Sequence, residues 1–153
     1  MLQSKFEVLS NRNLAPNVYA LKLRGDTSGV TAPGQFVQIE LPGFFLRRPI
    51  SVCDAEGDVL TLIYKVVGRG TEAMSALAPG GKLDLLTGLG NGYDLTLCGS
   101  APLLIGGGAG VGGIHIFRID RGLVRHDSQD QPAAPGAQGL VDGVQPPRTG
   151  GGS

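Results

Sequence analysis

Arg48-Pro49-Ile50-Ser51-Val52-Cys53, then the turn Glu56-Gly57-Asp58, then Val59-Leu60-Thr61-Leu62-Ile63-Tyr64-Lys65-Val66-Val67: the reading of this stretch decides the fold. Pro49 disfavours the helical region at Arg48, so the first run is short and extended. The second run is β-branched and apolar, and it reads as a strand. Working outward, Pro79-Gly80-Gly81 precedes a strand at Lys82–Thr87, and Pro33-Gly34 precedes one at Gln35–Leu41. Gln3–Ser10 and Val18–Arg24 alternate apolar and polar residues (Phe6, Val8; Tyr19, Leu21, Leu23), the signature of half-buried strands. Strands at intervals of roughly ten to fifteen residues predict an all-β fold, a closed antiparallel Greek-key barrel or a sandwich. One stretch breaks the pattern. Thr71–Leu77 has good helix formers behind Thr71 as an N-cap, and Pro79 ends it.

The C-terminal part reads differently. Ala101–Ile105 is a short apolar strand running into the glycine run 106–113, which is how a nucleotide-binding βαβ unit opens. No second strand follows Asp120. Beyond it Gly, Pro and polar residues dominate, and the chain ends in the linker-like Gln145-Pro146-Pro147-Arg148-Thr149-Gly150-Gly151-Gly152-Ser153. The expected organisation is a β-barrel over residues 1–98, the first strand of a truncated α/β nucleotide-binding domain over 99–120, and a disordered low-complexity tail over 121–153.

Composition excludes several classes. The 153 residues include 26 Gly and 10 Pro, about twice the usual share of backbone punctuators, yet 41% are apolar, enough for a core. Thirteen basic residues balance thirteen acidic ones, which argues against a nucleic-acid or membrane-surface partner held by net charge. Cys53 and Cys98 form no CxxC pair, and His115 and His126 lie near the C-terminus, so no zinc site or iron–sulfur cluster is expected from this chain alone. The first ten residues contain Lys5 and Glu7 and no apolar h-region, and no apolar run approaches the ~20 residues that span a bilayer. A cytoplasmic protein with reduced thiols is expected, with Cys53 as a small packed residue and the histidines as bystanders.

Four motifs could carry chemistry. In Arg47-Arg48-Pro49-Ile50-Ser51, adjacent arginines on an extended segment point to opposite faces, so one can serve a phosphate while the other meets solvent or a partner. The same residues would also suit an ordinary edge strand. Ile63-Tyr64-Lys65 leads through Gly68-Arg69-Gly70 to Thr71, where glycines and a helix start suit a pyrophosphate, or simply form a capped tight turn. Thr87-Gly88-Leu89-Gly90-Asn91-Gly92-Tyr93 and Gly106-Gly107-Gly108 are weak signals alone.

Taken in order, these motifs make the chain resemble the N-terminal half of the electron-transfer subunit family of class B dihydroorotate dehydrogenases, within the ferredoxin–NADP reductase superfamily. The matching stretches are Gly34-Gln35-Phe36-Val37, Leu46-Arg47-Arg48-Pro49-Ile50-Ser51, Leu62-Ile63-Tyr64-Lys65-Val66, Gly68-Arg69-Gly70-Thr71, Gly88-Leu89-Gly90-Asn91-Gly92-Tyr93 and Leu103-Leu104-Ile105-Gly106-Gly107-Gly108. The wider superfamily usually has an aromatic where Pro49 stands. The Arg-Pro-Ile-Ser form favours this subfamily and its relatives among sulfide dehydrogenase and glutamate synthase-associated subunits.

The resemblance implies a six-stranded antiparallel FAD-binding barrel followed by an NAD-binding domain. Arg48, Pro49, Ile50 and Ser51 would line the flavin, with Arg48 near the pyrophosphate and Ser51 near the isoalloxazine edge. Ile63, Tyr64 and Lys65 would hold the flavin and ribityl region, and Gly70 and Thr71 would cradle the pyrophosphate. Gly106, Gly107 and Gly108 would open a nucleotide site. The family carries electrons from an FMN-containing catalytic subunit that oxidises dihydroorotate, through a [2Fe-2S] cluster and FAD, to NAD+ in pyrimidine biosynthesis. This chain, with two cysteines and only the opening of the second domain, is expected to be truncated, to lack the cluster and a complete NAD site, to assign no catalytic residue, and to be inactive alone. A non-catalytic flavin-binding module and a barrel that binds partners without a cofactor are the competing readings.

Overall fold

The structure is a computed structural model that describes residues 1–97. The expectations for Gly106–Gly108, for His115 and His126, and for the segments 99–120 and 121–153 lie outside the described residues. Six strands, β1 (Leu2–Ala15), β2 (Val18–Arg24), β3 (Phe36–Ile39), β4 (Arg48–Glu56), β5 (Val59–Lys65) and β6 (Lys82–Leu89), are joined by one helix, α1 (Arg69–Ser75), and followed by a 3-10 turn at Leu95–Leu97. They close an antiparallel barrel in the order β1-β2-β5-β4-β3-β6.

The order explains where the helix lies. β3, β4 and β5 follow one another as a meander, but the chain must then cross to β6 on the far side of β3. That crossing carries α1 over one end of the barrel, and Met74 from its inner side is wholly buried in the core. Period-2 alternation supplies the rest of the core. Phe6 and Val8, Leu21 and Leu23, Val37 and Ile39, Leu60 and Leu62, and Leu83 and Leu85 point inward from five successive strands of the closed sheet. Closure pairs every strand with two neighbours, although β4 and β5 are paired along only part of their length.

Two bulges re-aim side chains. Val8 faces Leu23, yet Ser10 faces Lys22, so Leu9 is an extra residue and the inward phase passes to Asn11, opposite Leu21. In β4, Val52 faces Leu62 while Asp54 faces Thr61, so Cys53 is extra and both Val52 and Cys53 are buried.

Several boundaries differ from expectation. β1 runs on to Ala15 and β4 to Glu56, because the bulges hide the continuing alternation. Thr71 is not the N-cap. Gly68 holds that position and Thr71 is the third residue of the helix. Its hydroxyl accepts from the Val67 N–H at 2.9 Å and the Gly68 N–H at 3.3 Å, so it stabilises the entry from inside the first turn.

The glycine-rich turn after β6 is a joint. Gln35, almost fully buried, accepts at Oε1 from the Thr31 N–H at 2.7 Å and the Ala32 N–H at 3.0 Å, and donates to Gly90 O at 3.2 Å. Gly92 has φ of +69°, and a Cβ there would stand 2.7 Å from Ala32 Cβ, so this turn can close on the 31–35 loop only with glycine.

Candidate functional site: a groove at the helix-covered end of the barrel

An open groove of about 510 Å³ is lined by Phe44, Arg48, Val67, Gly68, Arg69, Gly70 and Thr71. Its position follows from the topology, since the start of β4 and the start of α1 meet at that end. Arg48 lies opposite Ile39, in the inward phase of β4, but at the last register position of the strand its side chain leaves the barrel toward the helix. There it is held by its neighbours. Nη1 donates to Leu46 O at 2.7 Å, and the guanidinium carbon lies 4.8 Å from the centre of the Phe44 ring, a cation–π contact. Gly70 is buried directly against it. A Cβ at residue 70 would overlap Arg48 Nε and stand 2.6 Å from its Cζ. The pairing of a buried glycine with an arginine is thus a steric fit, and it brings a guanidinium alongside the backbone of the first helical turn.

The groove is electropositive. Arg69 is exposed, and no carboxylate lies within ion-pair distance of Arg48 or Arg69 among the described residues. Two uncompensated guanidinium groups beside glycine backbone suit a multiply charged oxyanion, which takes paired N–H donors.

Beside the groove the barrel wall opens. The β4–β5 ladder pairs Val52–Glu56 with Val59–Leu62 and its register goes no further. Residues 48–51 pair with β3, and 63–65 pair with β2. The facing edges of the two strands therefore part just where the sequence motifs sit. Pro49 and Ser51 are exposed there, opposite Gln38 and Phe36, and Lys65 is exposed and Ile63 half-buried across the gap. Backbone edges flanked by a proline face, a hydroxyl and an ammonium can take a flat, heteroatom-edged ring.

Arg48, Gly70 and Thr71 are thus together in the groove, and Pro49, Ser51, Ile63 and Lys65 line the adjoining face. Ile50 packs partly on the core. Tyr64 points the other way. It is 2% exposed, stacks on Tyr19 with ring centres 5.6 Å apart, and donates its hydroxyl to Asn11 Oδ1 at 3.1 Å. Burial pushes its phenol up to about 12. It can meet a ligand at the gap only through its backbone. Asn11 in turn donates from Nδ2 to Met74 O at 2.8 Å and Leu77 O at 3.4 Å, so this pair ties the end of α1 to the barrel.

Nothing local in the sequence marks Phe44 and Asn11. Phe44 lies in a loop without periodicity, and Asn11 faces inward only because of the Leu9 bulge. Cys53 is a packed residue, as expected, and burial followed by the neighbouring Asp54 charge raises its thiol to about 11. No group of three or more metal-ligating side chains occurs among the described residues.

No protein-family model matches the chain. Its sequence is similar to the dihydroorotate dehydrogenase B (NAD(+)) electron transfer subunit of Streptococcus mutans, 42% identical over 117 residues, covering 72% of this chain and 45% of that protein. The subunit of the same name from Listeria innocua is 40% identical over 118 residues, covering 72% and 46%. The chain spans about half the length of the curated relatives it matches. Among solved structures, the ferredoxin reductase in carbazole 1,9a-dioxygenase is similar with a TM-score of 0.62 at 29% identity, over 74% of this chain and 37% of that one. Phthalate dioxygenase reductase shares the fold, with a TM-score of 0.62 at 19% identity over 75% of this chain and 38% of that one.

Proposed function

The chain is homologous, over about half of their length, to the electron transfer subunits of dihydroorotate dehydrogenase B, and from that premise we propose that its barrel is the FAD-holding part of such a subunit. The observation that carries the reading is the uncompensated Arg48 laid across Gly70 next to a parted β4–β5 wall. Charge, close backbone approach and unpaired strand edges occur side by side, which is the combination a flavin with a pyrophosphate needs.

The residues divide the work. Arg48 supplies a charge-assisted fork to the pyrophosphate, and the backbone of Gly70 and Thr71 approaches it closely because residue 70 has no side chain. Pro49 and Ser51 present one side of the gap to the isoalloxazine, Ser51 with a hydroxyl for a ring heteroatom. Ile63 and Lys65 face the ribityl side, and Tyr64 contributes backbone alone. Ile50 holds this segment of β4 on the core. When bound, FAD supplies the two-electron chemistry, and the protein supplies position and electrostatics.

The further roles belong to the same proposal. The substrate-side partner is a dihydroorotate-oxidising catalytic subunit carrying FMN, and the acceptor is NAD+, with Gly106, Gly107 and Gly108 as the opening of its site. A [2Fe-2S] cluster needs four ligands, and the sequence holds two cysteines, so this chain by itself does not fit that group. No helix among the described residues is long and apolar enough to cross a membrane. A cytoplasmic location is part of the proposal.

The test is direct. The purified chain should be yellow and release FAD on denaturation; a colourless protein that ignores added FAD would sink the reading. Arg48→Ala should cost about 1.5–3 kcal/mol of FAD binding, a loss of roughly one to two powers of ten in affinity. Bleaching of the bound flavin by NADH would support an electron-transferring chain, whereas stable yellow colour would favour the flavin-binding module alone.

A further inference from the structure

The groove described above is oriented by a loop, and the loop has its own anchor. Residues 40–47 join β3 to β4; Leu41 is buried and Phe44 packs partly on the core, but the rest of the loop is open. Gly43 adopts φ of +80°, Phe45 is fully exposed and Leu46 is 66% exposed. Yet this loop provides both groups that aim Arg48, the Phe44 ring and the Leu46 carbonyl. Beyond those apolar contacts, Arg47 ties it down. Its Nη2 meets Glu40 Oε2 at 2.6 Å and Asp84 Oδ1 at 2.7 Å, and its Nη1 donates to Asp84 O at 3.2 Å. Asp84 is itself held by Gln3 Nε2, at 2.9 and 3.1 Å from its two oxygens. The side chains of Arg47 and Asp84 are 20% and 19% exposed, so this is a half-sheltered fork joining the loop to β6 and β1 rather than a solvated surface pair.

We propose that Arg47, through Asp84, is a positioning residue for the flavin site. It moors the 40–47 loop so that Phe44 and Leu46 present the Arg48 guanidinium to the phosphates. It also pairs with the carboxylates of Glu40 and Asp84. The two adjacent arginines then have separate tasks, one structural and facing β6, one facing the cofactor. This inference rests on the FAD reading above.

The experiment titrates the full chain with FAD and with riboflavin, which has the ring and ribityl chain but no phosphate. Wild type, Asp84→Asn, Arg48→Ala and the double variant are compared. Asp84→Asn should weaken FAD about tenfold and leave riboflavin within about twofold, and in the double variant it should add nothing to the loss caused by Arg48→Ala, because both act on one contact. Arg47→Lys keeps the charge but cannot span Glu40 and Asp84 with one fork. It should show a smaller loss in FAD alone, and it replaces Asp84→Asn if that variant fails to fold. An equal fall in FAD and riboflavin, or full additivity with Arg48→Ala, would show a general structural role and overturn the inference. So would a wild type that binds FAD beside variants that bind it equally well. A wild type that takes up no flavin overturns the FAD reading and the inference with it.

Discussion

At the scale of single residues, Gly70 is defined by its neighbour. Arg48 occupies the volume a side chain there would need, so Gly70→Ala must displace the guanidinium or the helix. FAD affinity should fall at least as far as in Arg48→Ala, while the melting temperature moves little. Wild-type affinity in Gly70→Ala would contradict the steric fit. Cys53 offers a second check. Its thiol, raised to about 11 by burial, stays protonated at neutral and mildly alkaline pH. In a Cys98→Ser background, a thiol reagent at pH 8 should find no reactive sulfur until the chain is unfolded. Asp84 sets an acid limit. Burial pushes its carboxyl up, but the hydrogen bonds from Arg47 and Gln3 and the charges of Arg47 and Lys5 outweigh that and hold it below the ordinary 3.8. A lowered folded-state value means that the contribution is complete above the unfolded value and is lost as pH falls through the folded one. Acid unfolding curves of Asp84→Asn should therefore be flatter than wild type below about pH 4, and parallel curves would count against the pair.

At the scale of elements, a bulge determines where the helix sits. Leu9 shifts the phase of β1, Asn11 turns inward, and its amide links the Tyr64 hydroxyl to the last carbonyls of α1. Asn11→Ala leaves both partners unsatisfied and should cost about 1–3 kcal/mol, read as a shifted denaturation midpoint and faster amide exchange in α1. Unchanged exchange there would show that Met74 packing alone secures the helix. The same elements show how far the sequence could be read. The inward alternation of Leu60, Leu62 and Tyr64 is legible as a strand, and followed to its end it already turns the Tyr64 side chain into the barrel. Arg48, Gly70 and Thr71 are legible because charge and glycine spacing are local properties. The start of α1 lies two residues before the expected one because a threonine hydroxyl can cap from the third helical position as well as from the cap itself. The extra length of β1, the aim of Asn11 and the placing of Phe44 depend on bulges and on the neighbouring strand, which no local window contains.

At the scale of the whole molecule, closure depends on the most distant pairing in the barrel. Leu2 lies opposite Thr87 and Phe6 opposite Leu83, so β1 and β6 meet only after the intervening chain is arranged. Closing such long loops before the contacts form is slow. Refolding should occur in about milliseconds to seconds, and stopped-flow traces completed in microseconds would be incompatible with this closure as the limiting step.

That pairing also brings the beginning of β1 beside the end of β6, while the Glu56-Gly57-Asp58 hairpin tip stands exposed elsewhere on the surface. The barrel is consequently a good subject for circular permutation. A linker from beyond the glycine turn at residue 93 to residue 1, with new termini cut at Gly57, would keep every strand pairing, the Gln35–Gly90 contact and the groove.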